Sequence, residues 1–416
     1  MEDREYIEKL CRDARAASRT IANYSTVQKN NLLKKMAADL RNKTDFIVSE
    51  NHKDLAAAKK DGVSSALYDR LLLNRERIEG MARSIDEIAE LPDPIGRIEK
   101  MTVRPSGIRV GQMRVPIGVV AVIYEARPNV TTDIAALCIK SGNAAILRGG
   151  KEAINSNTAL HAVVQGALAE LGCPESAVTF IGRTDRGLVP ILLKMNRYID
   201  IVIPRGGEEL IRAVTEESTV PVIKHDKGVC HVFIDESADE EMANRIAVNA
   251  KVQRPGVCNA MEAMLVHEAF PHKESLLKSL LDRKVEIRGC EKTAAILPGS
   301  IKQAAADDWG REFLDLILAV KIVGSLDEAM EHIAHYGSGH SEAIVSNDYR
   351  NVDRFMTEVD SAAVFANAST RFHDGGEFGL GAEVGISTQK LHARGAMGVE
   401  GLTTLKYVVY GRGEVR

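Results

Sequence analysis

At 416 residues, 45% hydrophobic and 27% charged, the chain has the size for two or three domains and the balance of a globular protein with a large core. Its 54 Lys and Arg against 58 Asp and Glu give a net charge of -4 with no basic tract, which argues against nucleic-acid binding. The scattered cysteines (Cys11, Cys138, Cys173, Cys230, Cys258 and Cys290) form no C-x-x-C pair, against a disulfide framework or a structural zinc site. The charged amino terminus lacks a signal-type apolar core, and the most apolar stretch, Val115 to Tyr124, is too short to span a bilayer, so a cytoplasmic protein is expected.

From residue 3 to about 92 the sequence predicts helix after helix, with apolar residues three and four apart as at Leu32, Leu33, Met36 and Leu40; Pro92 and Pro94 end the run. Met101–Arg104 and Ile108–Val110 read as a hairpin around Pro105-Ser106-Gly107. A clear alternation then begins. Strands are expected at 118–124, 144–147, 178–181 and 199–203, and helices from Pro128-Asn129 to Ser141, from Asn155, Ser156 or Asn157 as cap to about Leu171, near 186–195 and at 208–215. Such alternation means a parallel, doubly wound sheet. The pattern restarts at His231, with strands at 230–234, 262–266, 315–322, 342–346 and 361–366 and helices at 239–252, 272–282, 325–335 and 348–358, a second α/β domain. The tail Thr403–Tyr410 is β-prone, the kind of terminal strand that often pairs with another chain.

Three strand-to-helix junctions and one loop carry candidate chemistry. Ala126-Arg127-Pro128-Asn129 follows an apolar strand at its carboxyl end, where open α/β sheets bind ligands; the Asn129 amide is either an oxyanion donor or a helix N-cap. Arg148-Gly149-Gly150-Lys151 and Arg205-Gly206-Gly207 are either loops where a phosphate can approach backbone, with Arg148 or Lys151 for a ribose 2′-phosphate, or ordinary loop glycines with solvated arginines. Cys258, between a helical stretch and the apolar strand at Ala263, is either a thiolate nucleophile near a helix N-terminus or a small buried hydrophobe. A thiolate there can hold an acyl group as a thioester, with nicotinamide as hydride source.

Other patterns narrow the field. Gly379–Gly385 has the wrong spacing for a Rossmann fingerprint, so a dinucleotide must bind in another way. Asp374–Gly381 is a glycine-rich loop suited to closing over a small substrate, or a surface connection. His332, His335 and His340 lack a completing cysteine or paired carboxylate, which favours a solvated helix end over a metal site, and no metal is expected. G-x-S-x-G and H-E-x-x-H are absent.

Taken together, Val115–Val119, Tyr124–Thr131, Ile203–Gly207, Gln253–Pro255 with Cys258–Glu262, and the long, specific Glu377–Gly395 resemble the aldehyde dehydrogenase superfamily over nearly the full length. The resemblance implies a fold of two doubly wound α/β domains with a small β oligomerisation element. Residues 1–229 would form the NADP-binding domain, with the hairpin near 100–115 contributing to oligomerisation; 230–401 would be catalytic, and 402–416 the C-terminal oligomerisation strand. It implies NADPH-dependent reduction of L-glutamyl 5-phosphate to L-glutamate 5-semialdehyde, in proline biosynthesis, at an interdomain cleft.

Cys258 would be the nucleophile, with Asn129 and the Cys258 backbone N–H holding the oxyanion. Arg148, Gly149, Lys151, Arg205, Gly206 and Gly207 would bind NADPH, and Arg127, Arg254, Lys390, His392 and Arg394 the charged substrate. The superfamily's E-L-G-G-K glutamate, which activates hydrolytic water, has no counterpart in Val222–Gly228, as suits an acylating enzyme whose second partner is phosphate. The implied partners are copies of the chain and a separate glutamate 5-kinase, with no nucleic acid or membrane. A reductase for another acyl phosphate or acyl-CoA, or a non-catalytic binder on the same scaffold, are the competing readings; the Glu377–Gly395 segment speaks against the first, and Cys258 and Asn129 in matching contexts against the second.

Overall fold

A computed structural model describes residues 2–224 and 227–416. The chain forms two units. The first takes Met1–Lys224, Gly379–Gly385 and Ala396–Arg416, and the second His225–Phe378 and Ile386–Gly395, whereas the sequence suggested boundaries at 229 and 401.

The first unit opens on five helices: α1 (Asp3–Ile21), α2 (Thr26–Asn42), α3 (Thr44–Lys60), α4 (Ser65–Leu71) and α5 (Arg75–Glu90). In α1 the buried Ile7, Cys11, Ala14, Ser18 and Ile21 recur at three and four, and Ile7, Cys11 and Ala14 join the sheet core with Val119, Ala121 and Ile146. Ser25 and Gln28 start α2 with a reciprocal capping box. The hairpin is longer than its apolar letters show: β1 (Ile98–Val103) pairs antiparallel with β2 (Arg109–Pro116). The tail Thr403–Tyr410 pairs with the other edge of β2, Thr403 opposite Pro116 and Tyr410 opposite Arg109, so one side of this strand is satisfied within its own chain.

Then follow β3 (Val119–Tyr124), α6 (Asn129–Lys140), β4 (Ala144–Gly149), α7 (Ile154–Glu170), β5 (Val178–Phe180), α8 (Leu188–Leu192), β6 (Ile201–Arg205) and α9 (Glu208–Glu217). The four strands are parallel in the order β5-β4-β3-β6. Every residue of β3 is buried, and each such aliphatic side chain contributes about 1.5–3 kcal/mol. Pro204 is tolerated in β6 because that strand ends the ladder. The expected cap of α7 is corrected: Asn155 and Ser156 lie inside the helix, and their backbone N–H groups donate to Asp54 of α3 at 3.2 and 2.8 Å.

The second unit contains β7 (Cys230–Ile234), α10 (Glu240–Val252), β8 (Met261–His267), α11 (Lys273–Leu281), β9 (Glu286–Gly289), α12 (Glu291–Ile296), β10 (Lys302–Gln303), β11 (Ile317–Val323), α13 (Leu326–Tyr336), β12 (Ser341–Val345), α14 (Tyr349–Glu358) and β13 (Ala363–Ala366). All seven strands are parallel, in the order β10-β9-β11-β8-β7-β12-β13. Two cores flank this sheet. One gathers Val232, Met264 and Val320 with Ile246 of α10 and Leu277 of α11; the other gathers Phe233, Leu265 and Ile344 with Ile333 of α13 and Phe355 of α14. β9, α12 and β10 were not expected from the sequence. Among the described residues no helix is long and apolar enough to cross a membrane.

Candidate active site

In the first unit, three of the predicted stretches meet at one sheet edge. Because β4, β3 and β6 are parallel neighbours, Arg148–Lys151, Glu125–Asn129 and Arg205–Gly207 all follow carboxyl ends on the same side. The chain runs from β3 outward to β4 and β5, then crosses to β6 on the other flank of β3. That reversal makes the ends of β3 and β6 a topological switch point, where open α/β sheets hold ligands.

The turn after β3 is tightly fixed. Tyr124 Oη lies 2.6 Å from Thr131 Oγ1, and Thr131 donates to Asn157 Oδ1 at 3.1 Å. Ala126 adopts a left-handed φ of 38°, and its N–H donates to Glu152 Oε1 at 2.6 Å. Pro128 takes the cap position of α6, so Asn129 is not its N-cap but its first residue. Asn129 is exposed, and its Nδ2 donates to Asp133 Oδ2 at 2.8 Å. Burial pushes the Asp133 carboxyl up to about 6, opposed by the Asn129 hydrogen bond and the Arg205 charge.

The Gly-Gly loops are packed against protein groups. A Cβ on Gly149 would overlap the Asn157 amide, one on Gly150 the Glu152 carboxylate, and one on Gly206 the Glu125 carboxylate. Gly207 N–H, at the start of α9, donates to Glu125 Oε2 at 2.9 Å. Thus the chain's own carboxylates occupy the two glycine pairs in this structure. Arg148 is only 6% exposed and donates to the carbonyls of Gly149 and Thr184, and burial disfavours its charge. The Arg148 side chain, expected to face a phosphate, is turned into the fold in this structure. Lys151 is exposed and Arg205 half-buried, with Gly385 packed against the Arg205 guanidinium. Arg127 is half-buried.

In the second unit, Cys258 sits half-buried in the turns between α10 and β8, at the amino-terminal edge of the sheet. The helix flanking it presents its carboxyl end, so the dipole stabilisation expected from a helix N-terminus does not come from that neighbour. Instead the loop backbone is clamped. The Cys230 thiol donates to the Cys258 carbonyl at 3.1 Å, and a Cβ on Gly228 would overlap that same carbonyl. Asn259 donates to the His373 carbonyl at 2.9 Å and accepts from Thr370 Oγ1 at 2.8 Å. Below it, Ser341 Oγ bridges His340 Nδ1 at 2.7 Å and His373 Nδ1 at 2.8 Å. Burial pushes the Cys230 thiol well up, which keeps it protonated as a donor. The two ends of the loop are tied by a buried ion pair, Lys251 Nζ to Glu262 Oε2 at 2.6 Å. The stretch Val222–Gly228, read for its missing glutamate, includes His225 and Asp226, which lie outside the described residues.

Of the cations expected to face substrate, Arg254 is exposed beside the Cys258 loop. Sequence reasoning missed Arg371: it donates to Gln253 Oε1 at 2.9 Å and lies within electrostatic reach of both Arg254 and Cys258. Only its distance along the chain hid it. Lys390 and Arg394 share Asp360, whose carboxyl they hold below its ordinary range, so one of the two positive charges is offset; His392 is exposed.

His332 and His335 do not act together. His335 is exposed, whereas His332 is buried against the rings of His231, Trp309 and Tyr336, and burial pushes it down to about 3. A depressed folded pKa means the stabilising contribution is complete above the unfolded value of about 6.5 and is lost as pH falls toward 3. At pH 5 that loss is about 2 kcal/mol. Urea unfolding of wild type and His332→Phe at pH 7.5 and 5 should show the variant gaining about 2 kcal/mol relative to wild type on acidification. An unchanged difference would mean His332 protonates in the folded state.

The aldehyde dehydrogenase family model matches residues 1–294, which is most of the chain. The chain belongs to the aldehyde dehydrogenase family. It is 54% identical over 412 residues to the γ-glutamyl phosphate reductase of Clostridium kluyveri, covering 99% of this chain and 98% of that one. With the protein of the same name from Carboxydothermus hydrogenoformans the identity is 55% over 409 residues, covering 98% of each. The crystal structure of the γ-glutamyl phosphate reductase from Thermotoga maritima superposes with a TM-score of 0.96 at 46% identity, covering 99% of each chain. The aldehyde dehydrogenase-like α/β fold expected from the sequence is thereby established.

Proposed function

We propose that this protein is an enzyme of proline biosynthesis that reduces L-glutamyl 5-phosphate to L-glutamate 5-semialdehyde with NADPH, releasing phosphate, through a thioester on Cys258. Support comes from the relatives' name together with the one observation that carries the mechanism: a half-buried Cys258 whose carbonyl is clamped by Cys230 and Gly228 and whose surroundings include the Arg371 cation.

In this reading the Cys258 thiolate attacks the acyl carbon, the carbonyl pair moves to oxygen, and the Asn129 amide and the Cys258 N–H donate to that oxyanion. Collapse breaks the C–O bond to phosphate and leaves the thioester. Hydride addition to the thioester carbonyl gives a thiohemiacetal oxyanion held by the same donors. Its collapse breaks the C–S bond, regenerating thiolate and freeing the aldehyde. Arg127, Arg254, Arg371, Lys390 and Arg394 supply positive charge for the substrate's carboxylate and phosphate, Lys390 and Arg394 after parting from Asp360, and His392 supplies a ring N–H.

The residues at the first unit's switch point fit a nicotinamide dinucleotide: Lys151 is exposed, Arg205 stands at the end of β6, and Gly206 and Gly207 open α9. Lys151, Arg205, Gly206 and Gly207 would hold it, with Glu125 leaving Gly207, and Arg148 would join once released from its two carbonyls. The bound cofactor supplies the hydride. We further propose that the sheet of β1, β2 and the C-terminal strand, with Tyr407 72% exposed, joins copies of the chain, and that the protein works in the cytoplasm beside a glutamate 5-kinase that makes its labile substrate.

Incubating the protein with L-glutamate 5-semialdehyde and NADP⁺ without phosphate, then quenching in acid, should leave a γ-glutamyl mass on the Cys258 peptide that added phosphate removes. Acylation of another residue, or none with concurrent NADPH formation, would sink the thioester on Cys258.

A further inference from the structure

The first residue of α6, Asn129, and the residue one turn later, Asp133, lie on the same helix face, and their side chains meet at 2.8 Å. A carboxylate only accepts, so ionised Asp133 requires the Nδ2 end of the amide, not the Oδ1 end, to face it. One N–H of Nδ2 is then committed to Asp133. The bond restrains the amide and narrows the directions open to the second N–H. Few other forces hold this side chain, because Asn129 is exposed and stands at the end of a helix. Without its partner the amide would sample both flips and several rotamers.

We propose that Asp133 is a positioning residue that orients the Asn129 amide so that its remaining N–H donates to the reacting carbonyl oxygen. This deepens the functional reading above and rests on Asn129 being the oxyanion donor. The carboxylate brings a negative charge near a developing anion, which alone would oppose the reaction; the Arg205 charge at the end of β6 counters it. With its carboxyl pushed up to about 6, Asp133 is ionised at neutral pH and above, as the role requires. An ordinary pair at this helical spacing contributes only about 0.2–0.5 kcal/mol to stability, so a structural role predicts an almost silent substitution.

The test is a double-mutant cycle on phosphate-dependent NADP⁺ reduction by the aldehyde. Asp133→Asn, nearly isosteric, replaces the obligate acceptor with a group that lets the amide flip. Expected are a kcat lowered about tenfold or more and unchanged KM for aldehyde and phosphate. The Asn129→Ala/Asp133→Asn double variant should be no slower than Asn129→Ala alone, because the second change acts only through the first side chain. Asp133→Ser, which keeps a hydroxyl acceptor, serves if the Asn variant folds poorly and should lose less activity than Asp133→Ala.

Wild-type kcat in Asp133→Asn overturns the proposal while leaving the oxyanion assignment standing, provided Asn129→Ala is slow. An Asp133→Asn loss that multiplies with that of Asn129→Ala also overturns it. If Asn129→Ala itself keeps its kcat, the oxyanion assignment fails, and the positioning role with it.

Discussion

Cys258→Ala should lower turnover by at least about 10³-fold while leaving NADPH binding and thermal stability unchanged. The reasons lie on separate links. Chemically, no other group in the mechanism can take the acyl chain. Structurally, the contacts that shape the loop are made by its backbone and by Asn259: Cys230 and Gly228 act on the Cys258 carbonyl, and Thr370 and His373 on Asn259. Removing one half-buried sulfur leaves all of these in place. The residues proposed for the cofactor, at 148–151 and 205–207, belong to the first unit and are untouched. Turnover within tenfold of wild type in Cys258→Ala would remove this residue from the mechanism; lost cofactor binding, read by fluorescence titration, would mean the substitution acts on the fold.

Lys251→Met should destabilise the protein by about 3–5 kcal/mol at pH 8, the range for breaking a buried ion pair from one side. Lys251 and Glu262 are both fully buried, and Glu262 also accepts the Leu314 N–H at 3.1 Å. Burial already pushes Glu262 up to about 7 despite the lysine, and pulls Lys251 down. Without Lys251 the carboxyl moves higher still. A raised folded pKa gives a contribution that is complete below the unfolded value near 4.5 and is lost as pH rises, so the penalty should shrink at pH 5. Lys251→Met/Glu262→Gln, which retains an acceptor for Leu314, should recover most of the loss. Urea midpoints at the two pH values read all three outcomes, and a single variant within 1 kcal/mol of wild type at pH 8 would show that the pair is not held as buried charge.

The strands and helices that bury apolar runs were legible: β3 is apolar throughout, β7, β8 and β12 each carry an apolar run of at least three residues, and α10, α13 and α14 follow at the expected positions. β9 was not legible. In Glu286-Ile287-Arg288-Gly289 only Ile287 is a large apolar side chain, and the strand exists because β11 pairs beside it. The cap of α7 was invisible for another reason. Asp54 lies on a different helix, so no local rule finds it. At the site, Cys258 and the strand-end loops could be named from their junctions, but what surrounds them could not. Arg371 and Cys230 reach the Cys258 loop only through folding, and Gly228 is required by a carbonyl that no spacing rule places against it. At the Arg-Gly-Gly pairs the motif could be seen in the sequence, but not that Glu125, Glu152 and Asn157 pack against its glycines.

The most direct test of the central claim runs the reaction backwards, since the acyl phosphate is labile. Purified protein, L-glutamate 5-semialdehyde and NADP⁺ are mixed with and without phosphate, and the NADPH absorbance band is followed. NADPH formation that requires phosphate is the predicted result. Equal formation without phosphate would make the enzyme a hydrolytic dehydrogenase, and no formation with NADP⁺ or NAD⁺ from folded protein would contradict the proposed substrate altogether.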